Sequence, residues 1–130
     1  MPPAFPATNG MNESIINFAA QFKFEPEITN KEKLREAKSF VVGGMGGSNL
    51  ATDILKSILP ELDITSHRDY GLPESSKEKF EETLFIASSF SGDTEETLDF
   101  AREALSKKLN LAAVTKGGKL LEFAERNKLP

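Results

Sequence analysis

The sequence predicts an α/β domain, a parallel sheet covered by helices on both faces, and three observations predict it. Short, near-continuous apolar runs at 40–42, 83–87 and 111–115 read as strands buried on both sides. Stretches of helical periodicity separate them, and alternation of this kind is the signature of parallel α/β architecture. Two of the apolar runs open into tracts of small and hydroxyl-bearing residues, GGMGGS at 43–48 and SSFSGDTEET at 88–97.

Each element has its own reason. Residues 1–11, rich in proline, read as an extended arm; they lack the charged and apolar regions of a secretion signal. Ile15, Phe18, Ala19 and Phe22 recur at helical spacing and predict an amphipathic helix over 12–23. Residues 29–37 read as a short charged helix. Phe40, Val41 and Val42 form the first strand. Leu50, Ile54, Leu55, Ile58 and Leu59 carry a helix that stops at Pro60. A second strand is expected over 64–70, closed by Gly71-Leu72-Pro73, and a short crossover over 77–82. The third strand covers 83–87, the helix after it 94–108, the fourth strand 111–115. Leu120, Leu121, Phe123 and Ala124 mark a final helix. Residues 12–130 thus make one domain, long enough to bury a core.

Composition excludes several classes. A formal net charge of −4, with lysines and glutamates interspersed, argues against nucleic acid or an anionic membrane as partner. No apolar stretch approaches the roughly 20 residues that span a bilayer. The absence of cysteine excludes disulfides and thiolate metal sites, and is compatible with a reducing cytoplasm.

The right-handed crossover rule leaves few topologies, and a flavodoxin-like order, 2-1-3-4, fits the elements. The sheet reverses between strands 1 and 3, and ligands in such sheets bind outside the carboxyl ends of the strands at that reversal. Both small-residue loops follow those two strands, so they should face one another across a crevice. The turn at 91–96 opens a helix whose first amides lack internal partners and whose dipole favours an anion. Hydroxyls add donors without bulk, and glycines at 43, 44, 46 and 47 let backbone approach a ligand. A phosphate monoester meets this description. The plainer reading is a capping box, Asp93 with Glu96. Nucleotide motifs fail on spacing. Gly44-Met45-Gly46 begins a dinucleotide fingerprint whose last position is Asn49, and no Gly-Lys-Ser/Thr follows the glycines.

Residues 40–48 and 89–97 together resemble the sugar isomerase (SIS) domain, most closely the amino-terminal half of the bifunctional phosphoglucose/phosphomannose isomerases. Arg68 to Pro73 and Thr115 to Leu120 match the same pattern in order and spacing, and the resemblance covers 12–130. It implies a three-layer α/β/α SIS fold and a phosphorylated hexose as ligand. It also implies a cytoplasmic homodimer that interconverts glucose 6-phosphate or mannose 6-phosphate with fructose 6-phosphate, with no metal or organic cofactor. By that resemblance Ser89, Ser91 and Thr94 hold the phosphate, and Gly46, Gly47 and Ser48 line the sugar side. The family's catalytic glutamate, histidine and arginine correspond to no position of these 130 residues. The expectation is therefore a first domain without its fifth strand and without the second SIS domain.

Other polar residues read more plainly. Glu95 and Glu96 favour the helix dipole; His67 and Arg68 lie at a strand end; Lys116 and Lys119 flank the Gly117-Gly118 turn; Tyr70 is a strand-end packing residue. Asp93 stands where the family often has asparagine, and beside a phosphate it must turn away to cap the helix. Asn49 and Thr52 replace the small residues usual there. Two functions follow: the phosphosugar-binding half of an isomerase, or a non-catalytic module that binds a phosphosugar for sensing or assembly. A folding fragment that self-associates through an exposed strand edge is the third reading.

Overall fold

Along β3 (Thr83–Ser89) burial alternates residue by residue: Thr83, Phe85, Ala87 and Ser89 are buried, whereas Leu84, Ile86 and Ser88 are half-covered. That period of two places successive side chains on opposite faces of a sheet. The face bearing Phe85 and Ala87 holds the core. This is a computed structural model, and it describes residues 9–130.

β1 (Ser39–Gly43), β2 (Ile64–His67), β3 and β4 (Asn110–Thr115) form one parallel sheet in the order β2-β1-β3-β4. This is the expected topology. On the core face Phe85 packs with Leu98, Phe100, Ala101 and Ala104 of α4 (Glu95–Ser106), Leu111 of β4 and Leu120 of α5 (Gly118–Arg126). Phe80 of the short helix α3 (Lys77–Glu81) meets Phe85 edge to face at 5.2 Å. Each fully buried large apolar side chain contributes about 1.5–3 kcal/mol. Gly43 is required here: a Cβ on it would lie 2.6 Å from the Phe100 ring.

α2 (Leu50–Ile58) returns the chain from β1 to β2, the reverse of the direction taken by β2-α3-β3 and β3-α4-β4. Right-handed crossovers in opposite directions lie on opposite faces, so α2 forms the second helical layer of a three-layer α/β/α fold. It turns Thr52 inward and leaves Leu50, Ile54 and Ile58 exposed. Over β3 and β4 that face is thinly covered: Leu84, Ile86 and Ala112 are half-exposed and Val114 is 60% exposed.

Several boundaries differ from those expected. The predicted arm over 1–11 lies outside the described residues for 1–8, and α1 (Asn9–Ile16) already begins at Asn9. The helix expected over 12–23 ends at Ile16 and continues as 3₁₀ turns over Phe18–Lys23, with Met11, Ile15, Phe18 and Phe22 exposed. The charged helix expected over 29–37 is a single 3₁₀ turn, Lys31–Lys33. The reason is tertiary. The Asn110 carboxamide accepts from the Arg35 amide at 3.2 Å and donates to the Arg35 carbonyl at 3.0 Å, which requires extended backbone there. Asn30, in the left-handed region at φ 52°, ties the same segment to the Leu129 carbonyl. The second strand stops at His67 rather than 70, and the third runs two residues further, to Ser89.

Asn110 is 5% exposed, so Asn110→Ala strands two backbone groups. It should lower stability by about 1–3 kcal/mol in chemical denaturation. A loss below about 0.5 kcal/mol would show that water replaces both bonds.

Candidate functional site

β1 and β3 are neighbours whose chains leave in opposite directions, and the two loops that follow them meet. The Ser88 hydroxyl donates to the Ser48 carbonyl at 2.9 Å, and the Phe90 amide donates to the Ser48 hydroxyl at 3.3 Å. A Cβ on Gly44 would lie 2.7 Å from the Ser88 carbonyl oxygen. The third loop joins them through the Lys116 amide, which donates to the Phe90 carbonyl at 3.3 Å. Between them is a cleft of about 540 Å³ lined by Gly47, Ser48, Ser88, Phe90, Val114, Thr115 and Lys116.

The glycine loop is anchored beneath by Asn49, which is fully buried. Its amide nitrogen donates to the carbonyls of Val42 and Gly44 at 2.9 and 3.1 Å and approaches that of His67 at 3.4 Å. Three carbonyls around one end of the carboxamide fix its orientation, because only the NH₂ donates. One side chain thus ties the ends of β1 and β2 together. The 3₁₀ turn Gly46–Asn49 and then α2 start from this anchor, and neither has a side-chain cap at its start. The four glycines divide: Gly43 and Gly44 are where α4 and β3 come close, while a Cβ on Gly46 or Gly47 would meet open space.

The hydroxyl loop is more committed than its composition suggests. Ser89 is 2% exposed; its hydroxyl accepts from the Gly92 amide at 3.0 Å and pairs with the Thr94 hydroxyl at 3.0 Å. Two hydroxyls sharing one bond keep one proton to donate elsewhere. Ser91 accepts from the Asp93 amide at 3.2 Å. Thr94, not Asp93, is the N-cap residue of α4, and its side chain makes no cap bond. The capping box therefore does not form. Asp93 instead caps the neighbouring helix, accepting from the Lys119 amide at 3.1 Å in the first turn of α5. The Gly92 carbonyl accepts from Leu120 beside it.

Of the six residues expected at the site, Gly47 and Ser48 line the cleft, Gly46 begins the same 3₁₀ turn, and Ser89, Ser91 and Thr94 occupy the adjoining turn into α4. Ser88, Phe90, Val114 and Thr115 line it without having been singled out. The signal lies in strand geometry: a period of two carried past the apolar run to Ser89 puts Ser88 on the α2 side and Ser89 on the core side.

The remaining candidates lie apart. The His67 ring packs 5.9 Å from Phe100, with Nε2 3.2 Å from the Tyr70 carbonyl. Arg68 pairs with Asp53 at 2.5 Å. Tyr70 is 53% exposed rather than packed. The Glu96 carboxylate, partial desolvation and Glu95 raise its phenol above the ordinary value. Among the described residues no three His, Asp or Glu side chains gather to hold a metal ion. No helix there is long and apolar enough to cross a membrane.

The parallel sheet, its reversal between β1 and β3, and the two loops joined there define an SIS-like three-layer α/β/α module. The chain is homologous to the bifunctional phosphoglucose/phosphomannose isomerases, matching an amino-terminal, SIS-like region. It is 36% identical over 124 residues to that of Caldicellulosiruptor bescii, covering 90% of this chain and 36% of the relative. To that of Thermoplasma volcanium it is 40% identical over 104 residues, 74% of this chain and 33% of the relative. For Thermoplasma acidophilum the figures are 38% over 110 residues, 78% and 34%. The chain spans about a third of the length of these curated relatives. No family model matches it.

Gly92 has φ +78°, and a Cβ on it would lie 1.7 Å from the Gly117 carbonyl oxygen. Gly92→Ala should therefore cost at least about 2 kcal/mol in thermal or chemical unfolding. Gly47→Ala should stay within about 0.5 kcal/mol, as its position is open. Equal effects would mean the turn gives way where the backbones touch.

Proposed function

We propose that this chain is a phosphosugar-binding SIS module, and that its ligand is a hexose monophosphate held where the three loops meet. The observation that carries this is the convergence of Ser48, Ser88 and Phe90 at the sheet's reversal, beside a helix start that no side chain caps. A helix start without a side-chain cap, flanked by hydroxyls, favours a phosphate. Phosphate contacts are assigned to Ser91, Thr94 and, through Thr94, Ser89. The sugar is assigned to the side of Gly46, Gly47 and Ser48. The relatives' name, bifunctional phosphoglucose/phosphomannose isomerase, supports glucose 6-phosphate, mannose 6-phosphate and fructose 6-phosphate as the ligands to try first.

Binding, rather than turnover by this chain alone, is the reading favoured. Aldose–ketose isomerisation needs a base to carry a proton between C1 and C2 and an acid for ring opening. The cleft lining carries no carboxylate and no imidazole, and His67 is engaged with Phe100 and Tyr70. In an isomerase this module would supply the phosphate grip and other segments the proton transfer. We place that assembly in the cytoplasm as a homodimer. The exposed stripe Leu50, Ile54 and Ile58 on α2 supports the pairing, since apolar patches of this kind are usually covered by a partner.

Calorimetric titration with glucose 6-phosphate tests the site. Ser91→Ala and Thr94→Ala should each weaken binding about ten- to a hundred-fold. Ser89→Ala should do so as well, with a loss of stability from the unsupported Gly92 turn. Unchanged affinity in all three would remove that turn from the site. Isomerisation should be undetectable with this chain alone and appear when the remaining two-thirds of a relative is supplied; turnover by the chain alone would overturn the binding-only reading. For the dimer, Ile54→Lys with Ile58→Lys should yield a folded monomer in sedimentation whose thermal unfolding no longer depends on protein concentration, and a variant that still sediments as a dimer would place the interface elsewhere.

A further inference from the structure

Lys116 lines the cleft as its one ionisable side chain among the described residues. It takes part in none of the four ion pairs found among them, all of which lie elsewhere: Lys38–Glu82, Arg68–Asp53, Lys79–Asp63 and Lys107–Glu103. Its ammonium is not loose, however. It stands 5.3 Å over the ring of Phe90, a cation–π arrangement. Phe90 is itself held at both backbone ends, by the Ser48 hydroxyl at its amide and by the Lys116 amide at its carbonyl. The cation, the aromatic platform and the glycine loop therefore form one connected unit across all three loops.

The ring is expensive to leave bare. Phe90 is 72% exposed and Val114, also on the cleft wall, is 60% exposed. Two uncovered apolar side chains beside an unpaired ammonium and three hydroxyls make an amphipathic surface. A hexose phosphate matches it in both parts. The C–H face of a pyranose carries a slight positive polarisation that suits the negative face of an aromatic ring, and the phosphate supplies the counter-charge. The hydroxyl turn offers the phosphate donors but no cation. Inorganic phosphate would satisfy the ammonium and leave the ring bare.

Resting on the phosphosugar reading above, we propose that Lys116 is the cation that receives the ligand's phosphate and that Phe90 selects for the sugar. The ring stacks on the pyranose and keeps the ammonium in place. A hydrogen bond between two charged groups is stronger than one to a neutral donor, so Lys116 adds the charge-assisted contact that the hydroxyl turn lacks, and Phe90 sets the preference for phosphosugar over phosphate.

Titration of wild type, Lys116→Ala, Lys116→Arg and Phe90→Ala with glucose 6-phosphate and with inorganic phosphate tests this. Lys116→Ala should weaken both ligands by about tenfold or more, and Lys116→Arg should restore most of the loss. Phe90→Ala should weaken glucose 6-phosphate several-fold more than phosphate. Both side chains are exposed, so thermal unfolding of the variants should match wild type. Wild-type binding of glucose 6-phosphate with Lys116→Ala within twofold of it would overturn this proposal and leave the phosphosugar reading standing. Equal losses of both ligands in Phe90→Ala would overturn the selective role of the ring. A wild-type chain that binds no phosphosugar would overturn both readings together.

Discussion

The turn after β3 rests directly on the turn after β4, backbone against backbone, and the carboxyl edge of the sheet is organised around that approach. A methyl group at Gly92 would overlap the Gly117 carbonyl, and one at Gly118 would lie 2.3 Å from the Ser91 carbonyl oxygen. Both glycines have positive φ. At this range the first amides of α5 find acceptors in the Gly92 carbonyl and the Asp93 carboxylate. The turn that leads into α4 thus serves as the cap of α5. The start of α4, like that of α2 on the other side of the reversal, is left without a side-chain cap, with Thr94 turned toward Ser89 instead. A helix start left without a side-chain cap keeps free amides, which suits the anion proposed above.

Much of this was legible in the sequence. The four strands, their order and the meeting of the two loops follow from alternating apolar runs, the handedness of crossovers and the position of the small residues. What escaped was whatever depends on a partner distant in the chain. Residues 29–37 carry helical propensity, yet Asn110, some 75 positions away, holds Arg35 extended. Asp93 looked like the cap of its own helix because sequence reading pairs it with Glu96; its partner is Lys119. Gly43 and Gly44 looked like places for a ligand, and the facing atoms turn out to be Phe100 and Ser88. Local chemistry names the residues able to act, whereas packing decides which of them are already engaged.

The same distinction explains the strand end. Ser88 and Ser89 are adjacent, chemically identical and assigned to different environments by one extra pair of ladder positions, Ser88 with Val114 and Ser89 with Thr115. One hydroxyl faces the cleft side and fastens the glycine loop; the other is buried and shapes the turn. A shift of a single residue would exchange them. The site is therefore as dependent on sheet register as on the loops themselves, and register here is secured by the burial of Phe85 and Ala87 on the core face.

Charge placement bears on the proposed anion in a chain whose net charge is −4. Four acids, Asp93, Glu95, Glu96 and Asp99, lie in or just after the hydroxyl turn, and any of them in the cleft would repel a phosphate. Three are drawn off. Asp93 is spent on α5, whose helix start offsets its charge. Glu95 reaches 3.4 Å from the Tyr70 hydroxyl, and Asp99 accepts from the Gly71 amide at 2.8 Å, both toward the turn after β2. None of the four lines the cleft, where Lys116 alone carries charge. The acidity of the whole chain and a cleft whose one charged lining residue is Lys116 are therefore compatible, because no carboxylate lines the cleft and three of the four nearest are engaged by backbone and phenol donors.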